Sequence, residues 1–396
     1  MMLRLDEVRQ YLRALSPGST DWRLFAIQAI GFPVILFALL PDRILHPAFY
    51  AEDGVVFFAN HFQGGSNLIM QPYNGYLHLF PRLAAVLVGL MPLEIAPWGY
   101  VFGGLLAMWL FILYATELRN HSRGMRILLC ATVLLSPLGS ECLLTVVNAQ
   151  WLFQFCPVLM LLRSHFRWYD LPVFAGMALT GPFVVILLPV LVFVIWQKRL
   201  IFRGPLMSSG MLIIAAGALA LQATHIVGRV GVPLSLDQTV PPVLIIIAKV
   251  AAALMTLAGL LIALSHAWRR KSDLMFLPLT GILFLLVAAV ASRTSFVAYG
   301  KGISPRYLLL PFTMIIWYFA LNPHRAQSNW LSGRAASFLL AMYVLAMVPV
   351  AKRFPNRSWS AMAACLKDPV VTICETKINP DGWLLKIVKE SNRPVY

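Results

Sequence analysis

The chain has 396 residues, 59% of them hydrophobic and only 12% charged, with a mean hydropathy of +0.75. No soluble domain of this length carries so much apolar surface, and no apolar run alternates with period two as barrel strands do, which leaves an all-α, polytopic transmembrane helical bundle. Lysine and arginine number 32 against 16 acidic residues, a formal charge of +16; without zinc spacing, a helix-turn-helix pattern or aromatic-interleaved basic stretches, the excess points to cytoplasmic loops and anionic lipid and excludes nucleic acid.

In chain order, residues 1–23 come first. Met1 to Ser16 is expected as an amphipathic helix, with Leu3, Leu5, Val8, Tyr11, Leu12 and Leu15 on one side and Arg4, Arg9 and Arg13 interspersed, lying on the cytoplasmic membrane surface. No small-residue cleavage pattern follows it, so it is not read as a signal peptide. The bundle then occupies 24–351, with apolar runs at 24–40, 98–116, 126–138, 149–162, 171–181, 182–196, 206–226, 243–264, 274–291, 306–321 and 335–350. These amount to about eleven spans, several too short to cross a core of roughly 30 Å upright. The pair around Thr180-Gly181-Pro182 reads either as two short helices or as one broken hairpin.

Charge sets the direction. The basic loops at 119–126, 163–167, 198–203, 269–271 and 324–334 all become cytoplasmic under one assignment, which requires that Tyr76–Met91 not cross the membrane. Pro81 and Arg82 within that segment suit a helix lying in the interface. The N-terminus is then inside and the tail 352–396 outside, where Cys365 and Cys374 are expected to pair, the alternative being two unrelated thiols.

The outward loop 41–97 is the longest and contains Tyr50-Ala51-Glu52-Asp53-Gly54 and Pro72-Tyr73-Asn74-Gly75-Tyr76-Leu77-His78. Adjacent carboxylates beside a membrane are costly unless they serve a cation or a reaction. Asp53 either caps the short apolar helix beginning at Val55 or acts as a general base, and the nearby Tyr73, Asn74, Tyr76, His78 and Arg82 favour the second. Asn148, Gln150 and Trp151 open a later span on the same side, as sugar-binding groups or, for Asn148, a plain N-cap. Arg293, Lys301, Arg306 and Tyr307 concentrate cations on the outer side, as phosphate ligands or as snorkelling anchors. Nucleotide loops, paired metal-binding histidines and a G-x-S-x-G elbow are absent. Arg167-Trp168 is similar to the end of the Q-x-x-R-W motif of processive membrane glycosyltransferases, but Ser164 stands where glutamine belongs.

The Tyr50–Gly54 and Pro72–His78 motifs, with Pro81-Arg82 and more loosely 148–151 and 306–307, resemble a bacterial branch of the GT-C superfamily of polyprenyl-phosphate-sugar-dependent glycosyltransferases. The resemblance implies a multi-pass enzyme of the bacterial inner membrane that inverts the sugar it transfers on the periplasmic face. The donor is a polyprenyl-phosphate-linked sugar and the acceptor a surface glycan or lipid-linked hydroxyl. Asp53, or else Glu52, is the expected base; with Asp53 in that role, Glu52 orients it or pairs with an arginine. Arg306, Arg293, Lys301 or Arg82 would hold the donor phosphate. Tyr50, Tyr73, Asn74, Tyr76, His78, Asn148, Gln150, Trp151 and Tyr307 would hold sugar or acceptor. No cofactor is obligatory, although Mg²⁺ is compatible with two carboxylates. A small flippase and a donor synthase are the natural partners. The alternatives are a transporter or flippase, for which internal repeats are wanting, and a polysaccharide ligase or polymerase, whose long outward loop comes late in the chain.

Overall fold

Asp21 opens the first long helix of the computed structural model: its carboxylate accepts from the Leu24 amide at 3.2 Å and caps α1, Trp22–Leu39. The structure describes residues 20–163, 166–198, 205–229, 243–298, 306–322, 355 and 357–389; the expected helix Met1–Ser16, the apolar run 335–350 and Lys301 lie outside them. After α1 come α2 Leu79–Gly89, α3 Ala96–Thr116, α4 Arg123–Leu134, α5 Phe155–Leu162, α6 Asp170–Ala178, α7 Val184–Gln197, α8 Pro205–Arg229, α9 Val243–Arg269, α10 Phe276–Ala298, α11 Arg306–Leu321 and α12 Trp359–Lys367. Each of the first ten apolar runs is therefore helical. Among the described residues, four stretches are long and apolar enough to cross a membrane: Trp22–Leu39, Leu93–Thr116, Leu206–Ala223 and Val250–Arg269. Their outer faces carry Ile27, Ile30 and Val34 on α1 and Leu254, Met255 and Ile262 on α9, all 60% or more exposed, a surface suited to hydrocarbon and not to water.

The break at Thr180-Gly181-Pro182 separates two short helices. Gly181 has φ +103°, which L side chains rarely adopt. Its N–H donates to the Leu77 carbonyl at 2.9 Å, and the Leu79 N–H donates to the Leu179 carbonyl at 3.1 Å, so the break is stitched to the start of α2. At 1.5 Å per residue α2 is about 16 Å long, roughly half a bilayer core.

The main core lies among α3, α4, α5, α7 and α11, where Phe111, Phe155, Trp317 and Tyr318 are wholly buried and the Trp317 indole donates to the Thr132 hydroxyl at 2.9 Å. A second core joins the first loop to the tail: Phe49, Phe58, Tyr100 and Trp359 pack edge to face or tilted, with ring centroids 4.6–5.5 Å apart. The described residues are mostly helical, as expected of the bundle, and the tail adds a small pair of strands. An antiparallel pair, β1 Ile373–Ile378 and β2 Trp383–Val388, follows α12, with Ile373 opposite Val388 and Ile378 opposite Trp383. Cys374, Ile378, Leu385 and Ile387 are buried, Thr376 is half-buried on the same face, and Glu375, Lys377, Leu384 and Lys386 are exposed, the period-two pattern of a half-buried strand. Cys365 and Cys374 form a disulfide with Cα atoms 5.8 Å apart, tying α12 to β1.

At the far end of α3, four charges are buried together. Arg163 pairs with Glu117 and Asp170, Arg167 lies 3.7 Å from Glu117, and the Tyr114 and Tyr169 hydroxyls donate to Asp170 and Glu117. The two carboxylates have no exposed side-chain surface. The arginines at 163–167, expected as loop charges, instead bolt α3 to α5 and α6.

Candidate functional site

Ala51 stands at φ +45°, a strained position for a residue with a Cβ, and its N–H donates to the Asn379 carbonyl of the tail at 2.5 Å. The turn that follows, Asp53–Phe58, is π-helical, a rare form often found at functional sites. Gly54 is required there: a Cβ would lie 2.9 Å from both the Phe49 Cβ and the Ile378 Cδ1.

Asp53 does not cap this turn. Its two carboxylate oxygens accept from the Val146 amide at 3.1 Å and the Val147 amide at 2.7 Å, and the residue is 1% exposed. Those amides are in reach because Gly103 and Gly104 let the 143–147 backbone lie directly on α3; a Cβ on Gly104 would come within 2.7 Å of Leu144 and Thr145 backbone atoms. Burial pushes the Asp53 pKa up to about 8, and the two amide bonds only partly oppose it. Asp53 thus ties the segment between α1 and α2 to residues 146–147.

Glu52 faces another way. It is half-buried, and its side chain makes no hydrogen bond or ion pair among the described residues. It lies within electrostatic reach of Arg306 and Tyr76. Arg306, at the start of α11, has its Nη1 3.4 Å from the Asn148 Oδ1 and 3.6 Å from the Glu141 carboxylate. Its guanidinium lies over the rings of Trp151 at 5.6 Å and Tyr307 at 6.0 Å, and its Nε has no partner among the described residues. Trp151 and Tyr307 meet edge to face at 5.1 Å. The Gln150 side chain hydrogen-bonds the Tyr76 phenol, whose pKa burial pushes up to about 12, while the Gln150 Oε1 has no protein partner. Glu52, Tyr76, Asn148, Gln150, Trp151, Arg306 and Tyr307 therefore come together although they are far apart in the chain.

Other expected residues have structural work. Asn148 does not cap its helix; its amide donates to the Glu141 carbonyl at 3.1 Å, so it steadies Arg306 from one side and the 137–142 turn from the other. Asn74 and Gly75, at φ +54° and +86°, are the central residues of a tight turn closed by the mutual Tyr73–Tyr76 backbone bonds, the conformation that Asn-Gly favours. His78 is 1% exposed, stacked on Tyr76 at 4.4 Å, with its Nδ1 3.2 Å from the Tyr76 carbonyl. A carbonyl only accepts, so that nitrogen carries the proton. Burial pushes its pKa down to about 4, and it is neutral. Tyr73 packs on Phe57 and His78. Arg82 is 4% exposed, 5.1 Å over the Phe57 ring and near the Tyr100 phenol. Arg293 falls on α10, but its side chain, like Lys301, lies outside the description.

Two residues that the sequence did not single out belong to this region. Glu141 pairs with Arg306; it is an acid in a short segment between helices of an acid-poor chain, and that scarcity was the available signal. Arg43 donates to the Leu143 carbonyl, lies 5.1 Å over the Tyr50 ring and hydrogen-bonds its hydroxyl. Burial pushes the Tyr50 pKa up to about 12, leaving a neutral phenol that is half-exposed. Among the described residues no three His, Cys, Asp or Glu side chains group as metal ligands would.

The chain matches no protein-family model, no curated protein and no solved structure.

Proposed function

We propose that this protein is an inverting, GT-C-like membrane glycosyltransferase that uses a polyprenyl-phosphate sugar as donor and a glycan or lipid-linked hydroxyl as acceptor. The proposal includes about eleven spans in a bacterial inner membrane, with the N-terminus cytoplasmic and loop 41–97 and the tail periplasmic. The observation that carries it is one half-buried carboxylate without a bonded partner, Glu52, in reach of a fixed guanidinium, Arg306, amid Tyr76, Gln150, Trp151 and Tyr307. Indole, phenol and amide groups are suited to sugar faces and hydroxyls.

Glu52, not Asp53, is the base in this reading, because both Asp53 oxygens already accept backbone N–H bonds. Glu52 takes the proton of the acceptor hydroxyl while that oxygen attacks the anomeric carbon from the face opposite the phosphate. The bond from anomeric carbon to phosphate oxygen breaks, and polyprenyl phosphate leaves with the electron pair. Arg306 stabilises the charge growing on the phosphate oxygens, its orientation held by Asn148 and Glu141. A phosphate leaving group is weakly basic and needs no strong acid. Asp53 acts as a positioning residue that keeps the loop bearing Glu52 against residues 146–147.

Mass analysis of surface glycans from cells lacking the protein, restored with wild type, Glu52→Gln or Asp53→Asn at matched membrane levels, tests this. Loss of one sugar substituent on deletion is expected, with recovery by wild type. Glu52→Gln should fail by about 10²–10⁴-fold and Asp53→Asn should recover in part. Full recovery by Glu52→Gln rejects its role, and loss of whole chains on deletion favours a transporter or ligase.

A further inference from the structure

The ends of α1 and α3 remote from Glu52 enclose a pocket of about 490 Å³ lined by Arg23, Arg119, Arg123, Arg126, Asp21 and Trp22. Four guanidiniums face one carboxylate. Asp21 is already engaged, accepting from the Leu24 amide and from Arg123 at 3.2 Å and Arg126 at 3.3 Å. Arg126 is 6% exposed, with its Nη1 on the Thr116 carbonyl at 2.8 Å, and its buried Nε has no partner. The lining thus offers guanidinium donors of the kind that holds phosphate oxygens, with Arg126 held in place by its backbone bond.

Its surroundings say what brings the phosphate. Trp22, at the rim, is 61% exposed. Beneath it, on one side of α1, run Ile27, Ile30, Val34 and Phe37, all exposed and spaced three or four residues apart. An amphipathic ring at the level of the cations, with an apolar stripe descending from it, matches a lipid with its head group in the pocket and its chains along the helix. α1 is about 27 Å long, so this pocket and the Glu52 cluster lie at opposite ends of the bundle. We propose that it binds the phosphate group of an anionic phospholipid. The inference rests on the membrane placement of α1 and not on the transfer reaction.

Native mass spectrometry of the full chain from phosphatidylcholine nanodiscs doped with phosphatidylglycerol tests it. Wild type should retain phosphatidylglycerol selectively. Arg23→Gln with Arg123→Gln, both exposed, should lower retention by about tenfold or more. Arg269→Gln with Arg270→Gln removes the same charge elsewhere and should leave retention unchanged, with equal melting temperatures confirming that all three proteins fold. Equal losses in both double variants, or none in either, overturn the proposal. Displacement of the lipid by millimolar inorganic phosphate would assign the pocket to free phosphate and overturn the lipid assignment.

Discussion

A carboxylate that accepts two backbone N–H bonds usually ionises readily, yet for Asp53 burial outweighs both bonds and lifts the pKa to about 8. The folded value stands above the ordinary 3.8, so between about pH 4 and 8 the folded protein keeps a proton that the unfolded chain has released. The stabilisation tied to that proton is complete below about pH 4 and is lost as pH rises through 8. Melting temperature should therefore fall more steeply between about pH 4 and 8 for wild type than for Asp53→Asn; parallel curves would contradict it. Gly54 is a second residue-scale test. Alanine there would press on Phe49 and Ile378 at once, and a loss of about 1–3 kcal/mol in denaturant unfolding is expected.

At the scale of elements, the contact of the 143–147 segment with α3 holds that segment in register with the one bearing Asp53. Gly104→Ala would drive a methyl into Leu144 and Thr145 backbone, which cannot rotate aside, so the Val146 and Val147 amides should leave Asp53. Hydrogen exchange at those two amides should accelerate more than at the α11 core. The buried charges at the other end of α3 behave differently. Arg163→Ala would strand Glu117 and Asp170 in the interior without their guanidinium, at a cost of about 3–5 kcal/mol in unfolding free energy.

The helices were legible because apolar runs of this length admit little else, and Gly181 marked the break because its φ is one that L side chains rarely adopt. The partners of Asp53 were not legible, since they are backbone amides 93 and 94 residues away and leave no side-chain signature. The partners of Arg163 and Arg167 were not legible either, since only packing brings Glu117 and Asp170 against them. Asn74-Gly75 carried a turn signal that its neighbours' aromatic chemistry obscured.

On the scale of the whole molecule, the tail is part of the site's frame. Asn379 exchanges backbone bonds with Phe49 and Ala51, and the Gln63 amide reaches the Val388 carbonyl. The Cys365–Cys374 bridge closes a short loop that braces this frame; by chain entropy it contributes about 2–3 kcal/mol. Cys365→Ser with Cys374→Ser should therefore speed tryptic cleavage at Lys377 and Lys386, whereas an unchanged cleavage rate would mean that the hairpin holds without the bridge.

The separation of 325 residues between Gln63 and Val388 has a consequence for biosynthesis. As the chain leaves the ribosome and its helices enter the bilayer one after another, the segment bearing Glu52 must wait, Phe49 without its Trp359 partner, until the residues through Asn379 have been made. Contacts at such a distance in sequence are slow to form. A protein clipped before Asn379 thus keeps the four long apolar stretches and still lacks the brace beside Glu52.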